Sequence, residues 1–290
     1  MRSISHLSVS LLLCFQLAGM AQGAPSSEPA RLQQALALMQ QGKTAAALKV
    51  IGPPESTTPI TPTQGRTAFL RAILMKKHHG TAAALDAFDA VWRTYPPLAD
   101  YAAKTLAEAA ATRHDLAMLQ ELVRPLTQGY PYSLHLPSIL LLLAQTQYHL
   151  GHHQQARVTV AHILQTYPSH PSAPGAFFLR AQLEEKAGHM VKAAITFKHL
   201  GDTYPQHERA AAAFKRSRQF LQRLAAKQRP QIDPEHELDT LGRLIQARRW
   251  TEVQQRFKEL APLVQDNPQH PRLLLLQAKA LSANAVGHKP

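Results

Sequence analysis

The sequence predicts an all-α protein, a solenoid of stacked antiparallel helix pairs. The dipeptide Tyr-Pro recurs, and the tyrosines of its four copies, at positions 95, 130, 167 and 204, are separated by 35, 37 and 37 residues. Between the copies, apolar residues follow a helical period on both sides of a glycine, and no segment alternates apolar and polar residues as a half-buried strand does. A fixed period of this length is typical of helical repeats that bury one shared core.

The first 23 residues have the layout of a secretory signal peptide. Arg2 precedes an apolar stretch at 7–20, and small residues follow at positions 21 and 23. This order directs export, and the apolar stretch is shorter than the roughly 20 residues that span a bilayer. We therefore expect cleavage after Gly23 and a location in the bacterial periplasm. Cleavage removes Cys14, the single cysteine, so the mature chain has no thiol for catalysis, a disulfide or zinc binding.

Each interval reads as a helix, a glycine turn, a second helix and Tyr-Pro. We expect residues 24–229 to form the solenoid and residues 230–290 to form a further helix pair plus an unpaired C-terminal helix. A Pro/Ser/Thr-rich loop at 53–62 separates the first repeat from the second. The predicted repeats are 29–52, 63–96, 97–131, 136–168 and 172–205, followed by a long helix at 208–226 and a pair at 234–247 and 250–264.

Small residues are predicted where paired helices cross closely, at 24 and 12 residues before the proline of each Tyr-Pro. Larger residues follow the second small position by four, and Leu119 is the one departure from a small residue. The positions are Ala72, Ala107, Ala144 and Ala181, then Ala84, Leu119, Ala156 and Ala193, and then Phe88, Val123, Val160 and Phe197.

This pattern resembles the tetratricopeptide repeat (TPR). That family has small residues at its eighth and twentieth positions, an aromatic residue at the twenty-fourth and a proline at the thirty-second. Ala181, Ala193, Phe197 and Pro205 meet these requirements. The resemblance implies a right-handed superhelix with an extended concave face that binds a protein or an extended peptide.

An exported solenoid with repeats ending in Tyr-Pro also resembles the N-terminal superhelical region of soluble lytic murein transglycosylases, over most of residues 29–286. The catalytic domain of that family needs a glutamate followed by a Gly-Leu-Met-Gln-like segment. The only similar segment here, 37–40, lies on a helix of the first repeat and has no such glutamate before it. The run Leu273–Leu276 mirrors the first helix of an earlier repeat without a second helix after it, which favours a missing continuation.

A basic segment is the candidate partner-binding feature. The chain has 32 Lys and Arg against 19 Asp and Glu, and residues 209–229 contain seven basic residues and no acidic one. A basic amphipathic helix can bind acidic proteins, anionic lipid headgroups or the carboxylates of peptidoglycan; a solvated face that aids solubility is the alternative. Nucleic acid is disfavoured by the exported location. The predicted basic face consists of Lys215, Arg216, Arg218, Arg223, Lys227 and Arg229.

Other patterns point away from catalysis and cofactors. The histidines at 78–79, 149 and 152–153 are interpreted as solvated turn residues, because no converging set of ligands is evident. Glu184 and Glu185 are adjacent on a helix and point in different directions, so they do not form an acid/base pair. The expected function is a non-catalytic periplasmic TPR scaffold for protein–protein interaction in the cell envelope. The alternative is the accessory superhelix of a lytic transglycosylase, enzymatic only with a catalytic domain that this chain lacks.

Overall fold

The structure, a computed structural model, describes residues 27–53, 61–224, 233–260 and 271–286, and over these ranges it is helical with no strand. The prediction of an all-α protein is confirmed for this part of the chain. The predicted signal peptide, with Arg2 and Cys14, lies outside the described residues, as do Lys227 and Arg229. Among the described residues, no helix combines the length and the apolar character needed to cross a membrane.

Fourteen α-helices lie within the described ranges. In order along the chain they are α1 Glu28–Gln40, α2 Thr44–Ile51, α3 Pro62–His79, α4 Thr81–Thr94, α5 Ala99–Thr112, α6 Leu116–Gly129, α7 Leu136–His149, α8 His153–Thr166, α9 Ala173–Lys186, α10 Met190–Thr203, α11 Ala210–Arg223, α12 Pro234–Gln246, α13 Trp250–Leu260 and α14 Pro271–Val286, with a short 3-10 helix at Pro96–Leu98.

The chain divides into two compact units, residues 1–106 and 107–290, and the division falls inside α5. In the N-terminal unit α1 packs against α2 and α3 against α4. In the C-terminal unit the pairs are α7 with α8, α9 with α10, and α12 with α13. Because very short connections join the members of each pair, the pairs are antiparallel helical hairpins. This packing of consecutive helices is consistent with the expected solenoid.

The same turn ends five helices, α1, α5, α7, α9 and α12. At each turn one residue adopts a positive φ, and its N–H donates to the carbonyl of the residue three positions earlier. The N–H of the following residue donates to the carbonyl of the residue five positions before itself; His152 N–H, for example, donates to the carbonyl of Gln147 at 2.8 Å. These bonds satisfy carbonyls that the helix end would leave free, and glycine is favoured because it lacks the Cβ that disfavours positive φ. The turn residues and their φ angles are Gly42 (77°), His114 (53°), Gly151 (81°), Gly188 (76°) and Arg248 (56°).

The predicted small positions lie in the core. Phe88, Val160 and Phe197 are buried beside them, whereas Val123 is half-buried. In this repeat the larger Leu119 takes the place of the alanine. Leu122, three residues later on the same face of the helix, is buried in place of Val123. All eight residues at these positions are fully buried: Ala72, Ala84, Ala107, Leu119, Ala144, Ala156, Ala181 and Ala193.

Side-chain contacts also recur with the period of the sequence. Thr159 Oγ1 donates to Gln147 Oε1 at 2.9 Å, and 37 residues later Thr196 Oγ1 donates to Glu184 Oε2 at 2.6 Å. Each bond joins the two helices of one pair. The tyrosine of Tyr-Pro ends the second helix, and Tyr204 Oη donates to the carbonyl of Pro168, the proline of the preceding copy, at 3.2 Å. Equivalent positions therefore make equivalent contacts.

The C-terminal helix α14 packs on α12 and α13. Its leucine run is divided between the core and the surface, since Leu273 and Leu276 are buried while Leu274 and Leu275 are about half exposed, at 46% and 53%. The buried leucines join a cluster that includes Phe214, Leu241 and Val253. The predicted pair at 234–247 and 250–264 corresponds to α12 and to α13 as far as residue 260.

Candidate functional site

Helix α11 carries the predicted basic face. Four consecutive alanines and the absence of glycine and proline favour a helix here. Its apolar side, with Ala210, Ala213, Phe214 and Phe220, is buried in the C-terminal unit, so the polar side faces solvent. The helix ends at Arg223, three residues short of the predicted end.

The four described members of the basic face have different surroundings. Arg216 lies 3.0 Å from a carboxylate oxygen of Glu185, and its guanidinium lies over the ring of Phe197, 5.4 Å from the centroid. Arg218 lies 3.8 Å from Glu259. Lys215 and Arg223 are exposed and, among the described residues, have no ion pair or hydrogen bond from their side chains. The structure therefore leaves these two cations accessible to a partner.

A cavity of about 520 Å³ lies between α10, α11, α12 and α13, all in the C-terminal unit. Much of its wall is apolar, formed by Ala194, Ile195, Phe214 and Leu221. Its polar residues come from the same four helices and from Asp233, which directly precedes α12. Sequence reasoning missed this cavity because no single segment contains more than a few of the residues that line it.

Four charged side chains of the cavity wall form a buried ion network, consisting of Lys198, Asp202, Glu237 and Arg256. Lys198 Nζ lies 2.6 Å from Asp202 Oδ2 and 2.6 Å from Glu237 Oε1. Arg256 lies 2.9 Å from Asp202 Oδ1 and 3.0 Å from Glu237 Oε2. Each cation therefore contacts both carboxylates. The sequence held one weak signal for the network, the i, i+4 spacing of Lys198 and Asp202 on α10.

Arg256 is the most connected member of the network. Its guanidinium lies over the ring of Phe214, 5.3 Å from the centroid, and is also 3.3 Å from Glu259 on its own helix. Asp202 and Glu237 are 2% and 3% exposed, so burial removes them from most of their hydration. Charges buried in this way are tolerated because they are paired.

The residues that line the cavity have a net negative charge, although the whole chain has a formal charge of +13. Burial is the main cause that holds the pKa of His199 below its ordinary value, against the opposing effect of Asp202, so His199 is neutral at pH 7. Apart from the histidines, three cations face five carboxylates. The cations are Lys198, Arg218 and Arg256, and the carboxylates are Asp202, Asp233, Glu237, Glu252 and Glu259. Arg249, outside the lining, pairs with Glu252 at 2.6 Å.

The histidines singled out in the sequence lie at or next to helix ends. The rings of His78 and His79 are 4.4 Å apart, and those of His114 and His149 are 5.5 Å apart. His153 contacts the ring of Tyr148. Within the described ranges, no three His, Cys, Asp or Glu residues are grouped so that they could hold a metal ion.

No protein-family model matches this chain, and no curated protein is significantly similar to it in sequence.

Proposed function

We propose that this protein is a right-handed TPR-like solenoid that acts as a non-catalytic scaffold in the periplasm and binds a protein partner. The observation that carries the proposal is the recurrence of the same turn, buried alanines and interhelical bonds at intervals of 37 residues, as in the pairs Gln147–Thr159 and Glu184–Thr196. Stacked helix pairs repeat their exposed side chains along one extended face, which suits the binding of a long peptide segment.

The basic side of α11 is the proposed contact surface for an acidic segment of that partner. Lys215 and Arg223 supply the charges of this face that interact least with the part of the chain that the structure describes. Arg216 and Arg218 have internal carboxylate neighbours, so they support the helix as well as adding positive potential. Attraction between opposite charges speeds association and weakens in salt, while apolar contacts along the face supply most of the affinity.

The test is affinity capture from a periplasmic extract, with the partner identified by mass spectrometry. Wild-type protein is compared with the double variant Lys215→Glu/Arg223→Glu. A second double variant, Lys43→Glu/Lys49→Glu, makes the same change in net charge at two exposed lysines of the first repeat. We expect the wild type and the second variant to capture the same acidic partner, and the first variant to recover at least tenfold less.

Equal recovery by both double variants would refute the role of α11. Circular dichroism spectra and melting curves of all three proteins establish that the substitutions leave the fold intact. A separate assay addresses the absence of catalysis: we expect the purified chain to release no muropeptides from isolated peptidoglycan. Measurable release would show that the protein is an enzyme.

A further inference from the structure

We propose that the cavity between α10, α11, α12 and α13 is a binding site for an uncharged, largely apolar small molecule. The inference goes beyond the scaffold function and does not depend on it, because Lys215 and Arg223, the proposed partner contacts, are not among the residues that line the cavity. The volume of about 520 Å³ lies within the range of pockets that bind small molecules, roughly 300–1,000 Å³.

The charges of the cavity wall are already paired within the chain. In the buried ion network each of the two cations contacts both carboxylates. Arg218 lies 3.8 Å from Glu259, and Glu252 lies 2.6 Å from Arg249. Asp233 also has an interaction within the chain. Among the described residues that line it, the cavity therefore holds no Asp, Glu, Lys or Arg side chain without a partner.

An ionic ligand would lose hydration in this cavity without gaining an ion pair. Moving a charge out of water is costly unless a group of opposite sign compensates for it. A partner for the ligand could be freed only by breaking an existing pair, and leaving a buried charge unpaired is itself strongly destabilising. An uncharged ligand avoids both costs.

The apolar part of the wall selects the body of the ligand. Ile195 of α10 is 47% exposed although it is a large apolar residue, and Leu221 of α11 is half-buried. Contact with an apolar ligand removes such surface from water, which is favourable in proportion to the area removed. A body of two fused aromatic rings is small enough for the volume and offers apolar area to both side chains.

Three further polar side chains complete the lining. Gln222 and the imidazoles of His199 and His236 have no hydrogen bond among the described residues. They can exchange hydrogen bonds with a hydroxyl group of the ligand. A few hydrogen-bonding groups in a mainly apolar wall are typical of sites that bind small molecules.

Three probes of nearly the same shape test the inference: 2-naphthalenemethanol, 2-naphthylmethylammonium and 2-naphthoate. Equilibrium dialysis against the full chain at pH 7, followed by naphthalene absorbance, gives their dissociation constants. We expect the alcohol to bind saturably and at least fivefold more tightly than either ionic probe, because only the ionic head groups must be desolvated beside paired charges. Binding of the alcohol should not weaken in high salt, since salt screens charge. A smaller preference, weaker binding of the alcohol in high salt, or no saturable binding would overturn the proposal.

Matched substitutions at two equivalent positions locate the binding. Ile195 and Val158 are 37 residues apart and are 47% and 64% exposed, and of the two only Ile195 lines the cavity. We expect Ile195→Ala to weaken binding of the alcohol about threefold, because it removes apolar surface, and Ile195→Arg to weaken it at least tenfold. Val158→Ala and Val158→Arg should leave it unchanged, and melting curves establish that all four variants fold. Unchanged binding in both Ile195 variants, or equal losses in the Val158 variants, would place the probe elsewhere and refute the site.

Discussion

Arg256 connects α13 to carboxylates on two other helices, and its replacement by methionine tests the buried ion network. Methionine retains much of the length and apolar contact of arginine but supplies no charge. The substitution removes Arg256 from Asp202 at 2.9 Å and from Glu237 at 3.0 Å. Lys198 then remains as the one cation of the network beside two buried carboxylates.

The expected loss follows from burial. Two unit charges about 4 Å apart interact by roughly 4 kcal/mol at an effective dielectric constant of 20, so two carboxylates make a gross attraction of about 8 kcal/mol. Repulsion from Lys198 and the cost of desolvating Arg256, which is 9% exposed, offset part of it. Breaking a buried pair by removing one partner typically costs about 3–5 kcal/mol. We expect Arg256→Met to lower the free energy of unfolding by this amount.

The measurement is equilibrium unfolding in urea, followed by the fluorescence of Trp250, which packs against the core cluster of α12, α13 and α14. The chain has two tryptophans, so a Trp92→Phe background makes Trp250 the sole reporter. A local reporter is needed because a repeat array can unfold in more than one step.

The control is Arg180→Met, which removes an i, i+4 pair on α9 between a largely exposed arginine and Glu184, whose side chain is 14% exposed. Arg180 lies 3.1 Å from Glu184 and its side chain is 52% exposed. Helix pairs at i, i+4 contribute about 0.3–0.5 kcal/mol, and because Arg180 is largely exposed we expect a loss near this value. A loss in Arg256→Met within 1 kcal/mol of that in Arg180→Met would refute the argument that burial makes the network important for stability.

Further expected outcomes follow from single positions. In Gly201→Ala the new Cβ would lie 2.8 Å from the ring of buried Phe214, so we expect a net destabilisation of about 1 kcal/mol in urea melts despite the higher helix propensity of alanine. His114 is a non-glycine residue at φ 53°, so we expect His114→Gly to raise the free energy of unfolding by about 1 kcal/mol. Gly151 occupies the same turn position at φ 81°, and Gly151→Ala should lower the free energy of unfolding by a similar amount. Changes of equal sign would contradict this. Burial lowers the pKa of His199 below 6.5, so the unfolded chain binds more protons as the pH falls through 6.5. The free energy of unfolding should therefore decrease below that pH, and less steeply in His199→Gln; identical pH profiles would count against it.

The helix pairs were predictable because their signals are local and repeated. Apolar periodicity, a glycine at the turn and Tyr-Pro at the end each act within a few residues, and the repetition of all three fixed the boundaries of most helices. His114 and Arg248 show the limit of this reasoning. Both occupy the turn position without being glycine, and the same backbone bonds form because the neighbouring helix ends require them.

The ion network was not predictable because its members are distant in sequence. Asp202 and Arg256 are 54 residues apart, and neither follows the period of the repeats. For the predicted basic face, the sequence correctly indicated a basic, amphipathic helix. It did not indicate that Arg216 turns towards Glu185, because a charge run carries no information about which of its members will meet a carboxylate from another helix.

The cavity lies where the repeat loses its regular period. The residues before α7, α9 and α11, namely His135, Ser172 and Arg209, are 37 residues apart, so α11 begins in register as the first helix of a pair. The turn residues follow the same interval from 114 to 151 to 188, but the next described one is at 248, after 60 residues. Helices α12 and α13 thus pack beside α10 and α11 out of phase with the earlier pairs. Regular stacking fills the space between pairs with alanines and large apolar residues, whereas an out-of-phase pair meets its neighbours with different side chains. Here those side chains are the ion network and the apolar residues of the cavity wall. The break in the period therefore accounts for both the cavity and its charge.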